Sequence, residues 1–330
     1  MENPVASKQL DVVGIGNAIV DIISSADDAF LERHGMIKGT MRLVDADRAQ
    51  AIYDEMGATV VTSGGSAGNT VAGIASLGGR AGYLGRVRDD DLGHAFRHDI
   101  TAIGVDFPTP AVTDGPPTAH CLILVTADSQ RTMNTYLGTS VNLGPSEIDA
   151  GLVRSAAITY LEGYLYDEPL AKRAFHEAAE IAHAAGRKVA LSLSDPFCVA
   201  RHRDAFLHLV DHHVDVLFGN EAEIGELFQT DDFEDSVRRL RGMTELAAVT
   251  RGARGSLIVT GDEVIEIRAE PVARVVDTTG AGDLYAAGFL FGLTHGASLR
   301  ECGRYAGIAA AEAIGHFGAR PQTSLAALIA

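Results

Sequence analysis

Residues 169–250 alternate two hydrophobic periodicities, and that alternation restricts the chain to few architectures. PLAKRAFHEAAEIAHAAG (169–186) is Ala-rich, has helical spacing and ends on Gly, which commonly terminates helices. RKVALSLSD then reads as a strand, RDAFLHLVDHH as a helix and VDVLFGN as a buried strand. NEAEIGELF opens another helix, and DFEDSVRRLRGM followed by ELAAVTRG repeats the unit. Strands joined through helices run parallel and are covered on both faces. The pattern predicts an α/β fold with a mainly parallel central sheet, and ligands beyond the carboxyl ends of its strands.

The first half adds a second element. After the strand DVVGIGN come VDIISSADDAFLERHG and a Gly-rich run at 63–85. Between residues 108 and 140, β-rich runs flank turn signals such as Asp114-Gly115-Pro116-Pro117 and Ala127-Asp128-Ser129. A small sheet projecting from the main body, able to cover a site as a lid, is the expectation. No tandem repeat or low-complexity linker divides the chain. It is therefore read as one domain over 1–330, with lid segments at roughly 17–60 and 108–140.

Charge excludes one class of partner. With 27 basic and 44 acidic residues the formal charge is −17, and Arg238-Arg239-Leu240-Arg241 reads as a solvated helix face. Nucleic acid, which needs a clustered Lys/Arg stripe, is not an expected partner. Cys121, Cys198 and Cys302 form no CxxC or zinc-like spacing, which fits a reduced, cytoplasmic chain. MENPVASKQLDVV lacks the features of a secretory signal, and no window approaches a membrane span.

Chemistry concentrates in a few stretches. Asp277-Thr278-Thr279-Gly280-Ala281-Gly282-Asp283 follows VARVV, read as a strand, and runs into the apolar LYAAGFLFGL. A Gly-rich turn at a helix N-terminus aims backbone N–H groups at an anion such as phosphate. Asp283 would repel phosphate, but it makes sense against a hydroxyl whose proton it accepts during attack on phosphorus. The alternative is a helix cap. Asn220 and Glu223 follow VDVLFG as a capping box, or place Glu223 where it organises Mg²⁺-bound water. Ser63-Gly64-Gly65-Ser66-Ala67-Gly68-Asn69 again feeds a helix, suited either to a hydroxyl-rich ligand or to close packing.

Other motifs are incomplete. Gly14-x-Gly16 follows a strand, but position 19 is Ile, so the dinucleotide fingerprint fails. Asn17 and Asp21, just beyond it, suit sugar hydroxyls, Asp21 equally an ordinary turn. GxxxxGK[ST] and Gly-x-Ser-x-Gly are absent. His208-x-x-x-His212 has ligand-like spacing without HExxH, and reads better as a partly exposed helix face.

Taken in order, GIGNAIVDI, GGSAGN, NEAE, TRG and DTTGAGD resemble the ribokinase-like (PfkB) family of carbohydrate and nucleoside kinases from about residue 10 to residue 320. The resemblance implies a three-layer αβα fold with a β-sheet lid, and ATP-dependent phosphorylation of a primary alcohol with Mg²⁺. Asp283 would be the base, and Gly280, Ala281 and Gly282 the anion hole. Asp21, Gly65, Ser66 and Asn69, joined by Asn17, match positions that hold the acceptor. Asn220 and Glu223 match an NxxE motif linked to Mg²⁺ and phosphate, and Thr250, Arg251 and Gly252 the nucleotide-side loop. Asp277 and Thr279 match a monovalent-cation (K⁺) site.

Within the family, ADDAFLERHGMIKGTMRLVD, Arg131 in SQRTMNTYLG and EGYLYD are similar to adenosine kinases. Tyr164 would stack on a purine, or serve as a core ring, and Arg131 would reach the transferring phosphate as the lid closes. Adenosine is thus the expected acceptor, with ribose or another sugar second. A binding regulator that lost catalysis is third, and the intact Asp283 and GAGD loop argue against it. Monomer and homodimer both remain open.

Overall fold

The computed structural model describes residues 9–128 and 130–330, so the N-terminal stretch MENPVASK and the turn residue Ser129 lie outside the described residues. The first segments are β1 (Leu10–Ile15), β2 (Ile19–Ser25), α1 (Asp28–Arg33), β3 (Met41–Leu43), α2 (Ala46–Tyr53) and β4 (Thr59–Ser63). Then follow α3 (Ser66–Ser76), β5 (Ala81–Leu84), α4 (Asp91–Ala102), β6 (Ala119–Val125), β7 (Arg131–Tyr136) and α5 (Ala150–Ser155). The alternating half holds β8 (Ala156–Glu162), α6 (Pro169–Ala184), β9 (Lys188–Ser192), α7 (Pro196–His213), β10 (Val216–Asn220) and α8 (Glu221–Phe228). It closes with α9 (Phe233–Met243), β11 (Leu246–Thr250), β12 (Ser256–Thr260), β13 (Val264–Ile267), α10 (Ala281–Thr294), α11 (Leu299–Ile314) and α12 (Leu325–Ile329).

Eight strands form the large sheet in the order β13-β12-β11-β10-β9-β8-β1-β5. All its pairs are parallel except β11–β12 and β12–β13. Successive residues of its strands enter opposite layers, which is why these strands read as unbroken apolar runs. Val12, Tyr160 and Phe218 pack with Val71 of α3 and Phe289 of α10. Their neighbours Val13, Leu161 and Leu217 pack with Phe175 of α6, Phe206 of α7 and Ile224 of α8. Layering of this kind is the three-layer α/β architecture expected from the sequence.

The second sheet has the order β3-β7-β6-β2-β4. Its strands come from residues 19–63 and 119–136. Ile22, Leu122 and Leu124 join Phe30 and Leu31 of α1 and Ile52 of α2 in the core. The pairings Asp21↔Cys121, Cys121↔Thr135 and Val125↔Arg131 put Asp21 and Arg131 on the other face.

VARVV is a correction. Residues 272–276 form no strand; the Val276 amide donates to the Ile314 carbonyl, and Val275 is 52% exposed. An apolar run becomes a strand only where a neighbouring edge accepts it, and here the sheet ends at β13.

Candidate active site

The parallel strands aim their carboxyl ends at one edge of the large sheet, and several predicted residues sit there. Asn17 follows β1, Glu162 ends β8, Asn220 ends β10 and Thr250 ends β11, with Asn220 and Thr250 in register. The turn into α3 and the start of α10 complete the edge.

Asp283 is the third residue of α10, whose N-cap is Gly280. Its Oδ1 accepts from Ser66 Oγ at 2.6 Å and its Oδ2 from Asn69 Nδ2 at 2.9 Å. The cap reading therefore fails for its side chain, which reaches across to α3. Burial pushes its carboxyl up to about 6, against the pull of Ser66, Asn69 and the charge of Arg320. Asn69 Oδ1 is buried without a partner among the described residues. It is an unused acceptor beside a poised carboxylate.

At the N-terminus of α10, Gly280 has φ +78°, and the Ala281 amide donates to the Thr278 carbonyl at 3.2 Å. A Cβ added at Gly282 would meet nothing within 4 Å, so the space over this residue is open. Gly65, the N-cap of α3, has φ +82° and packs its Cα against the Asn17 carbonyl, so backbone geometry alone demands glycine there.

Among the described residues, no protein donor is bonded to the Asp21 carboxylate. Burial pushes it up to about 6, while Arg320 and Arg131 pull it down and Asp283 adds to the rise. Arg131 pairs with Asp277 at 3.1 Å and lies over the Phe317 ring at 5.4 Å; its Nε has no partner among the described residues. Asp277 Oδ1 accepts from the Thr279 amide and hydroxyl, and Oδ2 from the Gly318 amide. With Arg131 supplying positive charge at the remaining position, these side chains do not fit a monovalent cation as arranged.

Asn17 is 1% exposed, and both polar atoms of its side-chain amide have a partner. Nδ2 donates to Glu162 Oε1 at 2.8 Å, and Oδ1 accepts from Ser140 Oγ at 2.9 Å. Glu162 Oε1 also accepts from the Asn17 amide, and Oε2 from the Ala67 amide in the first turn of α3. Asn17 thus braces the site through its side chain, and Nδ2 keeps a second N–H and Oδ1 a second lone pair. Tyr164, in a short 3₁₀ turn after β8, is 39% exposed, whereas Tyr160 and Tyr166 are buried in the core. Its backbone amide donates to Ser194 Oγ at 3.3 Å. Burial raises its phenol, with Asp195, Asp283, Glu223 and Glu162 adding to the effect.

Asn220 and Glu223 close a reciprocal capping box: the Asn220 amide donates to Glu223 Oε2, and the Glu223 amide to Asn220 Oδ1. Asn220 Nδ2 also donates to Glu223 Oε1 at 2.6 Å. Burial pushes Glu223 up to about 7. Among the described residues no group of three or more His, Cys, Asp or Glu could hold a metal, and the His208 and His212 rings pack tilted by 36°, centroids 4.3 Å apart. A lone buried carboxylate still fits Mg²⁺, which keeps most of its waters and is held by one or two carboxylates plus phosphates. Arg251 points to Glu221 at 3.3 Å and lies over Phe233 at 5.2 Å, and Gly252 takes φ +57°.

Two residues missed from the sequence are central. One is Glu162, the buried brace above; the other is Arg320. Its Nε donates to the Ser63 carbonyl at 3.0 Å, Nη1 to the Gly68 carbonyl at 2.7 Å and Nη2 to Ser63 Oγ at 3.1 Å. The only sequence signal for it was a lone Arg before Pro321, which resembles a surface tail. It ends a four-residue crosspiece: Phe317 lies under Arg131, Gly318 bonds Asp277, and Ala319 packs on Gly280.

This geometry sets a carboxylate beside an open turn at a helix N-terminus, at the edge of a three-layer fold and near a second small sheet. The chain belongs to the pfkB family of carbohydrate kinases, whose description matches residues 40–325. The crystal structure of adenosine kinase from Sinorhizobium meliloti is 53% identical, covering 97% of this chain and 98% of that one, with a TM-score of 0.90. A probable sugar kinase protein from Rhizobium etli is 48% identical with the same coverage and a TM-score of 0.90. An ATP-dependent ribose-1-phosphate kinase of Halopiger xanaduensis is 30% identical, covering 88% of this chain and 91% of that protein.

Proposed function

We propose that this kinase transfers the γ-phosphoryl group of ATP to the primary 5′-hydroxyl of a nucleoside, converting adenosine to AMP. The observation that carries the reading is the Asp283 carboxylate, held by Ser66 and Asn69 beside the open turn at Gly282. The acceptor hydroxyl gives its proton to Asp283 as its oxygen attacks the γ-phosphorus. The bond from that phosphorus to the β–γ bridging oxygen breaks, and ADP leaves. Amides at the start of α10 hold the transferring group, and Asp21 and Asn69 Oδ1 accept hydrogen bonds from the ribose hydroxyls. Glu223 would hold Mg²⁺ through water, where the ion neutralises phosphate charge. No step uses a monovalent cation.

The small sheet is read as a lid on a single domain over 1–330. On closure Arg131 leaves Asp277 and turns its charge to the phosphate. Likeness to the Sinorhizobium meliloti adenosine kinase supports the acceptor, as does the half-exposed Tyr164 ring. A cytoplasmic role in purine salvage follows, consistent with three unpaired cysteines. No helix among the described residues is long and apolar enough to cross a membrane.

The second reading is a sugar kinase, favoured by the relatives described as a sugar kinase and a ribose-1-phosphate kinase. Both readings are tested by ADP release with ATP, Mg²⁺ and a panel of adenosine, inosine, ribose, ribose 1-phosphate, fructose and fructose phosphate. Adenosine is expected to be turned over with the highest kcat/KM. Turnover of a sugar with adenosine inert selects the second reading, and no turnover of any member defeats both.

A further inference from the structure

Asp21 and Asp283, both assigned above to the acceptor, sit on different elements, the first on β2 and the second on α10. The Asp283 charge raises the cost of ionising Asp21, and acts likewise on Tyr160, Glu162 and Tyr164. Arg131, on the face of the small sheet shared with Asp21, is committed to Asp277. One cation acts on both carboxylates: Arg320, 257 residues from its partner Ser63.

Arg320 is also a clamp. All three of its bonds go to Ser63 and Gly68, which bracket Gly64, Gly65, Ser66 and Ala67. That turn presents Ser66 and Asn69 to Asp283. The Asp21 carboxylate lies directly against Gly64, where a Cβ would meet Oδ2 at 2.5 Å.

We propose that Arg320 is a positioning residue: it fixes the turn that aims Ser66 and Asn69 at Asp283, and serves as the shared counter-charge of Asp21 and Asp283. The assignment rests on the reading of Asp283 as the base. Burial drives the guanidinium down to about 10, and the nearby carboxylates, Asp21 foremost, hold it up. It remains charged throughout the working range of pH. Without it both carboxylates lose an opposing charge, and their ionised forms become harder to reach.

The test uses Arg320→Gln, Arg320→Lys and Arg320→Gln combined with Asp283→Asn, read by kinetics and by melting. Arg320→Gln is expected to lower kcat by about a hundredfold through misplacement. It should also move the acid limb of kcat/KM upward by about one pH unit. Arg320→Lys keeps the charge but loses the fork, so kcat drops while the limb stays. The melting temperature lost in Arg320→Gln should be larger at about pH 8, where both carboxylates are ionised, than at about pH 5. Asp283→Asn should restore part of that loss at the higher pH.

A melting loss independent of pH and untouched by Asp283→Asn would overturn the counter-charge, whatever happens to activity. Should Arg320→Gln not fold, Arg320→Lys decides: wild-type kcat and melting in that variant defeat the clamp. If instead Asp283→Asn alone keeps near-normal turnover, the base reading fails while the melting results still judge Arg320.

Discussion

Asp283 receives donors on both carboxylate oxygens, from Ser66 and Asn69, yet burial still pushes it up to about 6. A base is active only when deprotonated, so kcat/KM should fall as pH drops through about 6. Ser66→Ala removes a bond that favours the charged form, and should shift that limb upward. Asp283→Asn keeps the shape and loses the proton acceptor. Its kcat should drop by about 10²–10⁴-fold with little change in acceptor affinity, since a base acts mainly in the transition state. Steady-state rates across the pH range, with acceptor affinity by calorimetry, check all three. Near-normal turnover in Asp283→Asn would remove the base assignment.

At the scale of the element, the turn into α10 separates glycines by their reason for being there. Gly280 has φ +78° and packs on Ala319, so Gly280→Ala is strained twice over and should cost several degrees of melting temperature. Gly282 is helical, and a methyl group there meets nothing. Ala in its place gains helix propensity, about 1 kcal/mol at most. Gly282→Ala should therefore melt at or above the wild-type temperature while raising the KM for ATP or lowering kcat. Wild-type KM and kcat in Gly282→Ala would mean that no ligand approaches Gly282, and a stability loss equal to that of Gly280→Ala would mean that the space over it is filled. Elements of this kind were legible because their signals are local: each periodicity within 169–250 and each Gly-rich turn is written in a few consecutive residues. VARVV misled because an apolar pentapeptide says nothing of whether a strand edge awaits it. Arg320 and Glu162 were invisible because their partners lie at separations of 257 and up to 145 residues. Asn17 was recognised as a site residue, but the engagement of its amide by Glu162 and Ser140 could be seen only in three dimensions.

For the whole molecule, surface repulsion and carboxyls raised by burial (Glu162, Glu223, Asp21 and Asp283) both make stability fall as pH rises, and salt tells the two effects apart. The chain carries −17 at pH 7 with a pI near 5.0, so self-repulsion grows above pH 5. Separately, burial holds the Glu162 carboxyl up at about 7, against an ordinary value of 4.5. Between those values the folded state binds more protons than the unfolded one, so stability drains away as pH rises through that window and levels off above it. With Glu162 1% exposed, the cost at neutral pH is on the order of 3 kcal/mol. Surface repulsion is screened at about 0.5 M salt, where the Debye length is only a few ångström, whereas a buried carboxylate is shielded far less. Melting temperature should therefore decline from about pH 5.5 to about pH 8 at low salt, and part of the decline should survive in high salt. Glu162→Gln removes the titration but turns an amide N–H₂ or a single oxygen towards donors that now share two oxygens. The variant should melt below the wild type at the lower pH, and the gap should narrow towards the higher one. A gap that stays constant with pH in high salt would move the salt-resistant part of the decline from Glu162 to the other carboxyls raised by burial, Asp21, Asp283 and Glu223.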